Sequence, residues 1–151
     1  MEGMQRMSDQ DDIAVILAFH ALLESRDVPG LLALAADDIG VGGGRGRGEG
    51  KAFFAEWVRF ATISLTPRRW FRQLRVEREG RHGTPGERAS VVVVEEDAVW
   101  RAPSSGREMG RMRFATIYEI ENGLIRSVAR YGNIGEAVTT AGLYPEHEIA
   151  V

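Results

Sequence analysis

The sequence predicts an α+β protein: three helices near the N-terminus, an antiparallel sheet after them, and a short helix at the C-terminal end. Three observations carry this. Apolar residues recur at helical spacing in the first part of the chain and alternate in the second, as half-buried strands do. Helical and strand segments are separated along the chain instead of interleaved, which is the α+β order. The stretch Arg111 to Asn133, RMRFATIYEIENGLIRSVARYGN, reads as two strands joined at Glu121-Asn122-Gly123. An Asn-Gly pair supplies the positive φ angles of a two-residue hairpin turn, so this hairpin belongs at the centre of the sheet.

Taken in order, residues 1–8 read as a flexible leader, and Ser8 with Asp11 fits a capping box at a helix start. The first helix is expected over about Asp9 to Arg26. Its apolar residues Ile13, Val15, Ile16, Leu17, Phe19, Leu22 and Leu23 cover more than half of its circumference, as in a helix buried on most sides. Asp27 as cap and Pro29 in the first turn open a second helix, expected to run to Asp37 and Asp38 and to form a hairpin with the first.

Seven glycines follow between Gly40 and Gly50. The spacing does not fit a phosphate loop: Arg45 stands where a Walker-type glycine is needed, and Ala52 follows Lys51 where Ser or Thr is required. No G-x-G here continues as x-x-G, so a dinucleotide fingerprint fails too, and a loop or short edge strand is expected. Lys51 to Ser64 carries Phe53, Phe54, Trp57, Phe60 and Ala61 at helical spacing and is expected to end at Pro67.

Strands are expected over Arg68 to Glu79 and Arg88 to Ala102, with a loop at Gly80 to Glu87 between them. In the longer strand Val91, Val93 and Val99 share one face, and Val92, Val94, Ala98 and Trp100 the other. After the central hairpin, EAVTTAGLYPE reads as a short helix stopped by Gly142 and Pro145. Residues 9–145 form a single domain in this reading, and 146–151 a tail.

Composition removes several function classes. The chain has 151 residues, 44% of them hydrophobic and 27% charged, which suits one soluble globular domain. A formal charge of −3 argues against nucleic acid as the main partner. Absence of cysteine excludes disulfides and thiol catalysis, and His20, His82 and His147 lack metal-ligand spacing. No cofactor is expected. The opening MEGMQRMSDQDD carries acids where a signal peptide needs an apolar core, and no apolar run is long enough to span a membrane, so a cytoplasmic protein is expected.

The order of elements resembles a known superfamily. A helical pair ending in Ala-Asp-Asp, a glycine-containing loop, a third helix, and a last hairpin reading F-x-x-x-Y-x-I-E-N-G-L-I and closing on R-Y-G-N look like the NTF2-like superfamily in its SnoaL-like branch. The tail Ala141-Gly142-Leu143-Tyr144-Pro145 adds to the likeness, which covers about Asp11 to Pro145. The resemblance implies an NTF2-like (cystatin-like) cone, a curved sheet wrapped around the long helix with an apolar pocket at its open end, and a homodimer through the outer sheet face. It does not transfer a known reaction. The acid-base groups of ketosteroid isomerases fall on Phe19, Gly43 and Ala115, and the final catalytic aspartate of limonene-epoxide-hydrolase-like proteins falls on Arg130.

If Trp100 faces the pocket, alternation turns Glu96 inward beside it, and the neighbouring strands would present Arg113, Ala115, Ile117 and Glu119, then Val128 and Arg130. His20 lies on the buried helix next to Phe19. Glu96, Arg113, Arg130 and His20 would then form a polar cluster lined by Phe19, Trp57 and Trp100. A buried carboxylate demands a partner, and the expected one is Arg130; if that pair is structural, Arg130→Met should cost about 3 kcal/mol or more, and if Arg130 orients a ligand, the variant should lose binding and keep most of its stability. Three roles are open: a structural ion pair, a site where an arginine orients a carboxylate or carbonyl of a ligand, and general acid-base work by Glu96 or His20.

The functional expectation is a pocket for a small, mostly apolar ligand with one polar end, with isomerase, cyclase or hydrolase-type chemistry as an open question. The alternative is a non-catalytic dimeric interaction module. Its outer sheet face would carry Val91, Val93, Val99, Phe114, Tyr118 and Ile120.

Overall fold

A computed structural model describes residues 2–42, 47–59, 62–76 and 88–151. The expected loop at Gly80 to Glu87, the Ser8 and Asp11 side chains, Gly43, Phe60 and Ala61 lie outside the described positions. Helix α1 spans Glu2–Ser25, starting earlier than the capping pattern places it. It ends where Arg26 adopts a left-handed φ of 59° and Asp27 N–H donates to the Leu22 carbonyl at 3.0 Å. Asp27 also caps α2, Val28–Leu34: its carboxylate accepts from Gly30 N–H at 3.0 Å, and Pro29 lies in the first turn.

From Ala35 the chain departs from expectation. Ala35–Gly42 is strand β1, so Asp37 and Asp38 belong to a strand and not to a helix end. Propensity is overridden by pairing: Gly40, Val41 and Gly42 lie beside Ser127, Val128 and Ala129 in a parallel ladder. Gly48–Glu49, strand β2, folds back on Gly40 and Val41, making an edge strand of the second half of the glycine stretch.

Helix α3 is Lys51–Arg59, and strand β3, Ile63–Val76, contains Pro67. Pro67 therefore does not stop the helix. It adjoins a bulge, since Pro67 pairs with Glu96 but the next paired residue is Arg69, and a bulge is where a missing N–H harms the ladder least. Strands β4, Arg88–Arg101, β5, Glu108–Glu121, and β6, Leu124–Tyr131, follow. Asn122 and Gly123 form the β5–β6 turn with φ of 53° and 76°, as the Asn-Gly signal requires. Helix α4, Ile134–Thr140, is capped by Asn133, whose side chain accepts from Glu136 N–H at 2.8 Å. A single 3₁₀ turn, Pro145–His147, leads to β7, Glu148–Ile149.

The strands make one curved, unclosed sheet in the order β2-β1-β6-β5-β4-β3-β7, with β5 at its middle. Both faces are covered. Helices α1, α2 and α3 fill the inner side, where Ile16, Phe19, Leu23, Leu31, Phe54 and Val58 meet Trp70, Val92, Val94, Phe114, Tyr118 and Val128. On the outer side α4 and Leu143 lie over Phe71, Val91, Val93, Ala115 and Ile117. No helix among the described residues is long and apolar enough to cross a membrane.

The β5 faces are the reverse of those expected. Phe114, Thr116, Tyr118 and Ile120 point inward, while Arg113, Ala115 and Ile117 point outward. The cause is a bulge in the hairpin. Ile120 pairs with Ile125 but Glu119 pairs with Ser127, leaving Arg126 as an extra residue. An unbroken two-residue hairpin would set Ala115 opposite Arg130, whereas the bulge sets Thr116 there. The apolar outer face that argues for a homodimer changes with it: Phe114, Tyr118 and Ile120 are inside, and α4 covers Val91 and Val93.

Candidate functional site

The inner side holds one polar cluster. On α1, the i, i+3, i+4, i+7 set Ile16, Phe19, His20 and Leu23 faces the sheet, which brings His20 into the cone beside Phe19. On β4, alternation turns Val92, Val94, Glu96, Ala98 and Trp100 inward, as the sequence predicts. Thr116 and Tyr118 reach the same point from β5.

Glu96 is wholly buried and accepts from three donors. Thr116 Oγ1 donates to its Oε1 at 2.5 Å, Tyr118 OH donates to Oε2 at 2.6 Å, and His20 Nε2 lies 2.5 Å from the same Oε2. His20 Nε2 is also 3.1 Å from the Tyr118 hydroxyl. With the carboxylate ionised, Nε2 carries the shared hydrogen, and three donors offset the cost of its burial. Nδ1 of His20 is then the free nitrogen, buried and without a hydrogen-bond partner. Burial, followed by the adjacent Glu96 carboxylate, pushes the Tyr118 phenol well above its ordinary value, which keeps its proton in place for donation.

Arg130 enters from β6, half-buried, with its guanidinium carbon 4.3 Å from the Phe114 ring centroid and 5.4 Å from that of Trp57. Its Nε is buried and lacks a partner, and among the described residues no carboxylate lies within ion-pair distance. Burial lowers its affinity for the proton, and the Glu96 carboxylate opposes that effect. The expected Glu96–Arg130 pair is thus absent among the described residues. Glu96 is engaged by Thr116, Tyr118 and His20, and Thr116, the residue opposite Arg130, stands between the two in the sheet.

A row of rings joins the half-buried edge of the cone to its floor. Trp100 meets Phe114 edge-on at 6.3 Å, Trp57 stacks on Phe54 at 6.2 Å, Phe54 on Phe19 at 6.4 Å, and Phe19 meets Tyr118 at 5.8 Å. Of the residues the sequence singles out, Phe19, His20, Glu96, Trp57, Trp100 and Arg130 all face this interior. Arg113 does not: it is on the outer face, donating from Nε to Asp97 at 2.8 Å, and Ala115 is outside with it. Thr116, Tyr118 and Phe114 were missed because the bulge at Arg126 reverses the β5 faces. Two open clefts of about 590 and 490 Å³ flank α4 on the outer side; neither is lined by His20 or Glu96, but Arg130 and Val128 are among the residues that line the larger one.

Compared by sequence, the chain matches no protein-family model and no curated protein. By structure it is similar to an NTF2-like protein of unknown function from Burkholderia pseudomallei, at 18% identity and a TM-score of 0.57, covering 85% of this chain and 95% of that one. It is similar to an LEH-like epoxide hydrolase from M. tuberculosis, at 16% identity and a TM-score of 0.56, covering 86% and 88%. The orange carotenoid protein of Anabaena (Nostoc), solved with canthaxanthin bound, gives 18% identity and a TM-score of 0.60 over 79% of this chain and 35% of that longer one. With helices α1 to α3 held inside a curved sheet and these likenesses in shape, the chain has the NTF2-like fold.

Proposed function

We propose that the chain binds a small, mostly apolar molecule in the cone, with one polar end directed at Arg130. The observation that supports this is a cation without a direct partner: Arg130 lies over the rings of Phe114 and Trp57 with Nε buried and unpartnered, and no described acid forms an ion pair with it. A guanidinium that had only a structural task would be matched by an acid or by carbonyl groups. The rings of Trp57, Trp100 and Phe114 beside it suit the apolar body of such a ligand. An epoxide hydrolase and a carotenoid-binding protein of similar shape are in keeping with that reading.

A second reading adds chemistry. His20 and Glu96, 2.5 Å apart, have the arrangement in which a carboxylate fixes one imidazole nitrogen and leaves the other to exchange a proton. Nδ1 would be the working atom, in isomerase, cyclase or hydrolase-type steps. The non-catalytic alternative uses the outer side, where the two clefts beside α4 lie, for self-association.

The deciding experiment is a thermal-shift screen of apolar compounds bearing one polar group against the full chain, repeated on Arg130→Met. Binding to the folded state raises the melting temperature by mass action. Compounds that raise it in the wild type and lose their effect in the variant support the cone site. A screen in which nothing raises it, with a dimer by light scattering, favours the outer-face module.

A further inference from the structure

We propose that the polar end of the ligand is a carboxylate, so that the cone takes an apolar organic monoacid. This rests on the cone-site reading and narrows it to one chemical class.

Few polar groups in the cone are still open to a ligand. Glu96 is the only carboxylate described in the cone cluster, and its oxygens are occupied, one by Thr116 and the other by Tyr118 and His20. A ligand that offers a donor, such as an ammonium group, finds no free carboxylate there; the one open acceptor is the uncharged Nδ1 of His20. Arg130 has the opposite condition: a positive charge, a buried Nε without a partner, and no described acid within ion-pair distance, the Glu96 carboxylate acting on it only from farther off. The unmet demand of the site is therefore for negative charge.

Geometry narrows it further. The guanidinium carbon lies over the Phe114 and Trp57 rings, 4.3 and 5.4 Å from their centroids, and these apolar faces leave a polar partner the N–H groups at the rim of the guanidinium. A carboxylate is planar and matches the fork of those N–H groups with two parallel hydrogen bonds, which a carbonyl or hydroxyl cannot do. One cation also balances one charge, and the aromatic surroundings offer nothing for the second charge of a phosphate monoester.

Isothermal titration calorimetry on the full chain at neutral pH, with phenylbutyrate, phenylbutanol and phenylbutylamine as probes of matched shape, tests this. Expected is binding of the acid at least about tenfold tighter than the alcohol, with the amine weakest. In Arg130→Met the acid and the alcohol should bind within about twofold of each other. Trp57→Leu, which keeps the cation, should retain the preference for acid, and circular dichroism of each variant confirms that it folds. An alcohol as tight as the acid in the wild type overturns the carboxylate assignment while leaving the cone site standing. Failure of all three probes overturns both. Retention of the acid preference in Arg130→Met overturns the assignment to that residue.

Discussion

Tyr118 donates its hydroxyl hydrogen to Glu96 Oε2 at 2.6 Å, and both side chains are completely buried. A carboxylate in that position depends on its donors, because each one removed leaves charge facing an apolar interior. Tyr118→Phe keeps the ring and its contact with Phe19 and removes only the donor. The variant should lose about 1–3 kcal/mol of stability. Urea unfolding followed by circular dichroism measures it, and an unchanged midpoint would show that His20 and Thr116 alone satisfy the carboxylate.

Arg130→Met should behave differently. No described ion pair is broken, so the variant forgoes contacts with the Phe114 and Trp57 rings and gains an apolar side chain in their place. Stability should stay within about 1 kcal/mol of the wild type. This replaces the loss of about 3 kcal/mol that a Glu96–Arg130 pair would impose. A large loss of stability in the same urea assay would reinstate such a pair.

Tyr118 also gives the fold an alkaline limit. Its phenol is pushed up by burial and by Glu96, so the folded state holds the proton more tightly than the unfolded chain does. A raised value contributes stability that is complete below the unfolded value of about 10 and is lost progressively as pH rises above it. Ultraviolet titration should show the Tyr118 phenol ionising only as the protein unfolds. In Tyr118→Phe the decline of stability above about pH 10 should be shallower.

On the other side of the sheet, Leu143 is 4% exposed and packs with Ala137 over Phe71, Val91 and Val93. Leu143→Ala should cost about 2–5 kcal/mol. Thermal unfolding gives the loss. A change near zero would mean that the outer cover is loose and that the sheet face is available to a partner after all.

What could be read from the sequence followed from signals that do not depend on register. The Asn122-Gly123 turn, the Asp27 cap with Pro29, and the alternation that puts Glu96 on the Trp100 side of β4 are local features, and each holds. Strand β5 is another matter. Its two faces, Phe114, Thr116, Tyr118 and Ile120 against Ala115 and Ile117, are both apolar enough to be buried, because α1 to α3 cover one and α4 the other. With no polar face to mark the outside, register had to be inferred from the hairpin, and one extra residue at Arg126 shifts it. Tyr118 and Thr116 were hidden by that shift. In the same way, β1 owes its form to pairing with β6, which no property of the Ala-Ala-Asp-Asp stretch announces.

The placement of the tryptophans equips the protein with its own optical gauge. Trp70 is sealed in the core, while Trp57 and Trp100 sit half-exposed near Arg130, one facing the guanidinium and the other touching Phe114. Emission from the two outer indoles is sensitive to water and to a neighbouring charge, and the buried one supplies a steady background. A molecule that enters the cone displaces water from around those two rings. The chain can therefore signal occupancy through its own luminescence, without dye or label.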